Sequence, residues 1–212
     1  MTYPVEPTIF TSNPYDTAWY DIDFFHSPDG SEQFPNHHCK QTWLASIPFI
    51  TTYRNAIDIG CRDGEYSRYL HKDFEHVFCF DYRRRKLFHN NVDLKKITHF
   101  KCALGEESKI ITVSGGGSIT TGKIPKEKWY DEQLYTVDQF NLSNIDYIKI
   151  DVDGFELRVL QGAVNTITHH SPLIVFEQES DNNDVINFCK ELGYETAAWD
   201  QSHRNIIMRK IT

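Results

Sequence analysis

From Tyr53 onward, short apolar runs alternate with stretches whose apolar residues recur every three or four positions. NAIDI reads as a buried strand, and GEYSRYLHKDF behind it has the spacing of a helix. HVFCFD predicts a second strand, THFKCAL a third and YIKIDV a fourth. GFELRVLQGAVNTI spaces its apolar residues as one helix, and PLIVFEQ predicts a fifth strand. DVINFCKELG predicts a helix ended by Gly193, whose missing Cβ suits a cap. YETAAW and NIIMRKI predict two short closing strands, with DQSHR as the loop between them. This alternation builds a three-layer α/β sandwich on a mostly parallel sheet, here of seven strands. The last two strands have no helix between them and are expected to pair as an antiparallel C-terminal hairpin at the sheet edge.

Two segments depart from the pattern. Residues 1–35 hold four of the eight prolines before Pro35 and few periodic apolar positions. They predict an N-terminal arm or cap on a single domain at 36–212, with Trp19, Tyr20, Phe24 and Phe25 as packing anchors. Between Lys109 and Trp129, SGGGSITTGKIP is too rich in glycine and threonine for a helix. Gly117, Gly122 and Lys123 have the spacing of a phosphate loop, but Ile124 stands where a magnesium-binding hydroxyl is required. A loop or β-ribbon near the carboxyl edge of the sheet is expected there instead.

A chain of 212 residues fills one good core, and its 40% hydrophobic and 25% charged residues are ordinary for a globular protein. No apolar run is long enough to span a membrane, and MTYPVEPTIF is not built as a signal peptide. The net charge of -8 argues against broad contact with nucleic acid. RRRK at Arg83–Lys86 is a local basic patch, on a solvated surface or beside a bound anion. Five scattered cysteines without a CxxC pair predict free thiols, a reducing cytoplasmic setting and no cysteine-bound zinc.

The candidate chemistry sits where strands end in carboxylates. In an open parallel sheet, the carboxyl ends of the strands are where small molecules bind. Asp58 closes the first strand and leads into Gly60-Cys61-Arg62-Asp63-Gly64, where Gly60 permits a tight turn and Gly64 close approach at a helix start. Asp81 ends the second strand, where a carboxylate can accept from both hydroxyls of a ribose. Asp151, Asp153 and Glu156 cluster around Gly154, and Glu177 ends the fifth strand. These acids can bind a metal, position a substrate hydroxyl or cap the following helix. His37-His38 and His169-His170 are adjacent pairs, which is not the spacing of helical zinc ligands, and His203 lies in the last loop.

AIDIGCRDGEYS, VFCFD, FKCALGEE, LYTVDQF, YIKIDVDGFELRVLQGA and LIVFEQ, in this order over 56–178, resemble the FkbM family of S-adenosylmethionine-dependent methyltransferases. KIDVDGFE followed by VLQGA is the specific part. The resemblance implies a Rossmann-like methyltransferase fold that binds S-adenosylmethionine and methylates a hydroxyl of a sugar, glycan or small metabolite. It places Asp58, Gly60 and Gly64 at the methionine side of the cofactor and Asp81 on the ribose. Cys102, Ala103 and Leu104 would flank the adenine, and Asp151 would lie beside the methyl donor. Asp153 and Glu156 match the acidic positions of the family's KIDVEGxE pattern, and Glu177 its late acidic strand end. Asp151, Glu177 or His203 would take the acceptor's proton, and no metal is implied.

Two positions depart from the family pattern. Cys61-Arg62 replaces Ala-Asn, and Asp81-Tyr82 replaces Glu-Pro. Arg62 either obstructs the cofactor turn or pairs with its carboxylate. The competing readings are an NAD-dependent oxidoreductase, resting on the first glycine turn and Asp81, and an inactive nucleoside-binding or scaffold protein. The oligomeric state is left open.

Overall fold

The computed structural model describes residues 2–10, 24–26, 33–35, 37–83, 87–114, 129–178, 182–200 and 204–211. The elements in chain order are β1 (Phe24–His26), β2 (Gln33–Pro35), α1 (His37–Ser46), β3 (Asn55–Ile59), α2 (Ser67–Asp73) and β4 (His76–Phe80). They continue with α3 (Phe88–Asn91), β5 (Ile97–Phe100), β6 (Ala103–Leu104), β7 (Lys109–Ser114), β8 (Trp129–Tyr135) and β9 (Ile145–Ile150). The chain closes with α4 (Glu156–Gln161), α5 (Val164–His170), β10 (Leu173–Glu177), α6 (Asp184–Glu191), β11 (Tyr194–Asp200) and β12 (Asn205–Lys210).

Seven strands form the central sheet in the order β11-β12-β10-β9-β3-β4-β5. All neighbours are parallel except β12, which runs antiparallel to both β10 and β11. The strand order reverses between β3 and β9, and at such a switch point the two crossovers leave in opposite directions and open a crevice. The expected antiparallel hairpin is present at the sheet edge. β12 lies inside the sheet and β11 takes the edge. Ile206, Ile207 and Met208 of β12 are buried, whereas β11 beyond the buried Tyr194 is half-buried or exposed.

Period-two alternation sorts the core into two layers. Ile57, Ile59, Phe80, Ile148, Ile150, Ile174 and Phe176 face α4, α5 and α6. Ala56, Val77, Cys79, Tyr147 and Val175 face α1 and α2. Phe80, Phe100 and Phe140 meet with ring centroids 4.9–5.0 Å apart, and Tyr3 of the arm adds its ring edge to Phe100. Each such pair contributes about 0.5–1.5 kcal/mol beyond burial. Thr8 N also donates to His99 O at 2.7 Å, so the chain around Thr8 lies along the edge strand β5. All five cysteines are buried as free thiols.

One element is missing from the expectations and two others are corrected. α1 was not predicted, because HHCKQTWLAS has almost no amphipathic pattern; Cys39 and Trp43 nevertheless anchor it. The third strand stops at Phe100, and Ala103–Leu104 instead joins β8 in a separate small sheet with β7. The helix expected from GFELRVLQGAVNTI is two helices, broken at Gly162-Ala163. A β-carbon on Gly162 would lie 2.0 Å from Gly105 O, so the small sheet presses against the helix there. Asp138 then caps α5 from outside, accepting from Asn165 N and Thr166 N at 2.9 and 2.8 Å.

β7 and β8 form the ribbon expected between Lys109 and Trp129, while its tip lies outside the described residues. The anchors Trp19 and Tyr20, the patch residues Arg84, Arg85 and Lys86, and the loop residues 201–203 also lie outside them, as do the side chains of Phe24 and Phe25. Gly193 follows α6 with φ +79°, the left-handed cap its position predicted. Among the described residues, no helix is long and apolar enough to cross a membrane.

Candidate active site

The turn after β3 is held from both sides. Gly60 N and Cys61 N donate to Phe80 O, and Asp151 N donates to Ile59 O at 3.0 Å. Gly60 has φ +80°, and a β-carbon there would sit 1.8 Å from Asp151 O. The two acidic strand ends are therefore in backbone contact. Gly64 also has positive φ, but its near neighbours are Val92, Asn91 and Phe88. The close approach at this helix start is made by the chain around α3.

Asp58 points inward, between the sheet and α2. Its carboxylate accepts from Ser67 Oγ at 2.5 Å and is 1% exposed. Burial pushes its pKa up to about 6, against the lowering effects of Ser67 and Lys149. Asp58 thus lies beneath the turn and offers no exposed carboxylate to a ligand.

Arg62 adopts the left-handed region, with φ +47°. That conformation explains the asparagine of the family pattern, because Asn tolerates it better than arginine. The Arg62 N–H donates to Asp81 Oδ2 at 3.1 Å, and Arg83 N donates to Oδ1 at 2.8 Å. The Arg62 side chain is 57% exposed and lies 3.7 Å from Glu65 Oε2. It leaves the turn and pairs with Glu65.

Asp81 is 5% exposed at the end of β4, and its N–H donates to Phe100 O. Burial, then the charges of Glu132 and Asp81, push the Cys102 thiol up, so the ribose and adenine candidates adjoin. Ala103 and Leu104 are buried in β6, beside Leu134 and Tyr135.

At the end of β9, Asp151 has a side chain 42% exposed. Lys149 Nζ lies 3.2 Å from its Oδ2, and Glu177 makes a hydrogen bond with it. Burial raises the Asp151 pKa, but Lys149, the Glu177 hydrogen bond and the Arg62 charge outweigh it and hold the group low. Glu156 has a different role. Its Oε1 accepts from Val152 N and Gly154 N at 3.1 and 3.3 Å, closing a turn in which Asp153 and Gly154 both have positive φ. Asp153 is exposed, and the N-terminus of α4 has no side-chain cap, so capping, one of the three readings left open for this cluster, is not made by Asp153. Among the described residues, no group of three His, Cys, Asp or Glu is arranged to hold a metal ion.

A sequence profile described as Methyltransferase FkbM domain matches residues 58–196. The chain belongs to the FkbM family. Among solved structures, methyltransferase FkbM from Methylobacillus flagellatus KT superposes with a TM-score of 0.52 at 16% identity, covering 75% of this chain and 44% of that one. The chain thus spans less than half the length of that relative. Precorrin 8W decarboxylase from Methanobacterium thermoautotrophicum gives 0.53 at 11% identity, covering 90% and 98% of the two chains. At these identities the likeness is one of fold. No curated protein matches the sequence.

The FkbM segment brings Asp58, Gly60, Asp81, Asp151 and Glu177 to one sheet edge on neighbouring strands. His203 lies outside the described residues. Sequence reasoning passed over Lys149, Ser67 and Cys39. Lys149 had a signal, since a lysine inside the apolar run of YIKI is out of pattern for a central strand. Cys39 had none, because nothing in α1 announces that burial and then the charges of Glu65, Lys149, Asp151 and Asp58 act on its thiol.

Proposed function

We propose that this chain is an S-adenosylmethionine-dependent O-methyltransferase acting on a hydroxyl of a sugar, glycan or small metabolite. The observation that carries this reading is the row of carboxyls at the switch point. Asp81, Asp151 and Glu177 end three strands of one sheet and surround the FkbM turn at 58–64. Their negative charge suits a donor with a positive sulfur and an ammonium group. In the same proposal, residues 1–35 are an arm and 36–212 are one catalytic domain.

When bound, S-adenosylmethionine would supply a methyl group on cationic sulfur to the hydroxyl oxygen, the carbon–sulfur bond breaking as the carbon–oxygen bond forms, with S-adenosylhomocysteine as the leaving group. Gly60 and Gly64 shape the turn for the methionine end, and Asp58 supports it from below. Asp81 holds the ribose hydroxyls, and Cys102, Ala103 and Leu104 border the adenine. Asp151 faces the donor's positive end, and the Asp151–Glu177 pair receives the acceptor's proton. Alignment of acceptor, methyl and sulfur by this fixed edge supplies much of the acceleration.

The test is calorimetric titration of the folded protein with S-adenosylmethionine and with NAD, followed by labelled methyl transfer to a panel of hydroxylated acceptors. Binding of S-adenosylmethionine with transfer to a hydroxyl is expected. Preference for NAD supports a dehydrogenase instead, and binding without transfer across the panel supports an inactive scaffold.

A further inference from the structure

Lys149 occupies an unusual place for a charged side chain. It lies in β9, a central strand, opposite Asp58 of β3 and Val175 of β10. Its side chain is 3% exposed. Alternation puts it on the same face as Tyr147, between the sheet and the α1–α2 layer. From there the stem reaches toward the carboxyl edge. Nζ donates to Asp151 Oδ2 at 3.2 Å and to Ile150 O at 3.3 Å, and it stands 5.5 Å from the centre of the Tyr66 ring.

Stability alone does not account for this ammonium. Burying a lysine costs its hydration, and an apolar residue of similar length in such a place is often as stable or more so. The ammonium does something an apolar stem cannot. It ties a fully buried, well-packed strand position to a carboxylate that is nearly half exposed at the proposed donor site. Asp151 otherwise ends a strand in front of a turn with two residues at positive φ, and its neighbour Glu177 is itself acidic. Without a cation beneath it, that carboxylate would have freedom to rotate and to exchange its charge with Glu177.

We propose that Lys149 is a positioning residue of the methyl-transfer site, holding Asp151 ionised and in one orientation toward the donor's cationic end. This rests on the methyltransferase reading for the identity of the ligand, but not for the Lys149–Asp151 relationship itself. Other charged or titratable groups bear on the same point. They are Asp58 from β3, Arg62 and Glu65 from the turn, Tyr66 at the start of α2, Cys39 from α1, Tyr147 on β9 and Glu177 from β10. Arg62 is the one other cation among them, and it is mostly exposed, so Lys149 is the partner that solvent screens least.

The experiment compares the full chain with Lys149→Met and Lys149→Arg. The carboxyl carbon of Asp151 is followed by nuclear magnetic resonance through a pH titration, and S-adenosylhomocysteine binding is measured by calorimetry at each pH. In Lys149→Met the Asp151 titration is expected to move up toward the ordinary aspartate range. Affinity for S-adenosylhomocysteine is expected to fall about tenfold, the worth of one charge-assisted hydrogen bond. Lys149→Arg should keep the low titration. A folded Lys149→Met protein with an unmoved Asp151 titration and unchanged affinity overturns the proposal. Should Lys149→Met not fold, Asp151→Asn decides. Its affinity must fall about tenfold and lose the acid limb of its pH profile, and wild-type behaviour overturns the proposal. If the wild-type chain binds no S-adenosylhomocysteine, the cofactor reading fails, and the Asp151 titration in Lys149→Met still decides whether Lys149 positions it.

Discussion

Gly60 and Asp151 are separated by most of the domain's sequence, yet a β-carbon on Gly60 would lie 1.8 Å from the Asp151 carbonyl oxygen. The first strand's turn and the fourth strand's end are thus one packed unit, at the switch point of the sheet. Gly60→Ala violates this contact and also places a side chain at φ +80°. The left-handed conformation alone costs about 1–2 kcal/mol, and the displaced carbonyl adds to it. Thermal unfolding should therefore fall by at least about 2–4 °C, with weakened S-adenosylmethionine binding in the folded fraction. An unchanged melting temperature contradicts the packing described.

Arg62 holds φ +47°, a conformation arginine adopts at a cost. Asn in its place keeps the N–H that donates to Asp81 and tolerates the left-handed region. The side chain given up is mostly exposed, and its link to Glu65 is long, so that loss is small. Arg62→Asn is expected to raise stability by about 0.5–1 kcal/mol. In urea this appears as a higher midpoint at unchanged slope. A lower midpoint would mean that the arginine's charge near Asp151 matters more than its backbone strain.

Much of this site was legible in the sequence because it depends on strand ends. An apolar run closing on a carboxylate and a glycine turn fixes both the element and the edge on which the acid lies, and Asp58, Asp81, Asp151 and Glu177 were all placed this way. What escaped was any role decided by a partner distant in sequence. Asp58 faces Ser67 beneath the turn, Asp153 yields the turn to Glu156, and Gly162 is small because Gly105 presses on it. The strand expected from THFKCAL is shortened for the same reason, since pairing with β8 recruits Ala103 and Leu104 away from β5. Local periodicity carries no information about such long-range neighbours.

Asp58 predicts a specific pH dependence. Its folded pKa of about 6 lies above the ordinary value of 3.8. The folded state therefore holds the proton more tightly than the unfolded chain, so the contribution of this group favours folding in acid. It is fully present below about pH 4 and is lost as the pH rises through about 6. The span corresponds to about 3 kcal/mol at most. Asp58→Asn removes it, so the stability difference between variant and wild type should grow in favour of the variant between pH 4 and 7. A difference that stays flat over that range shows that Asp58 titrates normally in the folded chain.

Asp81 is the carboxylate whose loss separates cofactor binding from folding. Its two oxygens accept from the backbone N–H groups of Arg62 and Arg83, and the same carboxylate is the one proposed for the ribose hydroxyls. Asp81→Asn keeps one oxygen acceptor but removes the charge and turns the other position into a donor. Loss of hydrogen bonds to a charged group costs about 1.5–3 kcal/mol, or roughly ten- to a hundredfold in affinity. Calorimetry should show that weakening for S-adenosylhomocysteine. A ligand with the ribose hydroxyls removed should bind wild type and variant alike, because the interaction that distinguishes them is then missing from both. If the deoxygenated ligand still prefers the wild type by the same factor, Asp81 acts through the Arg62 turn and not through the ribose.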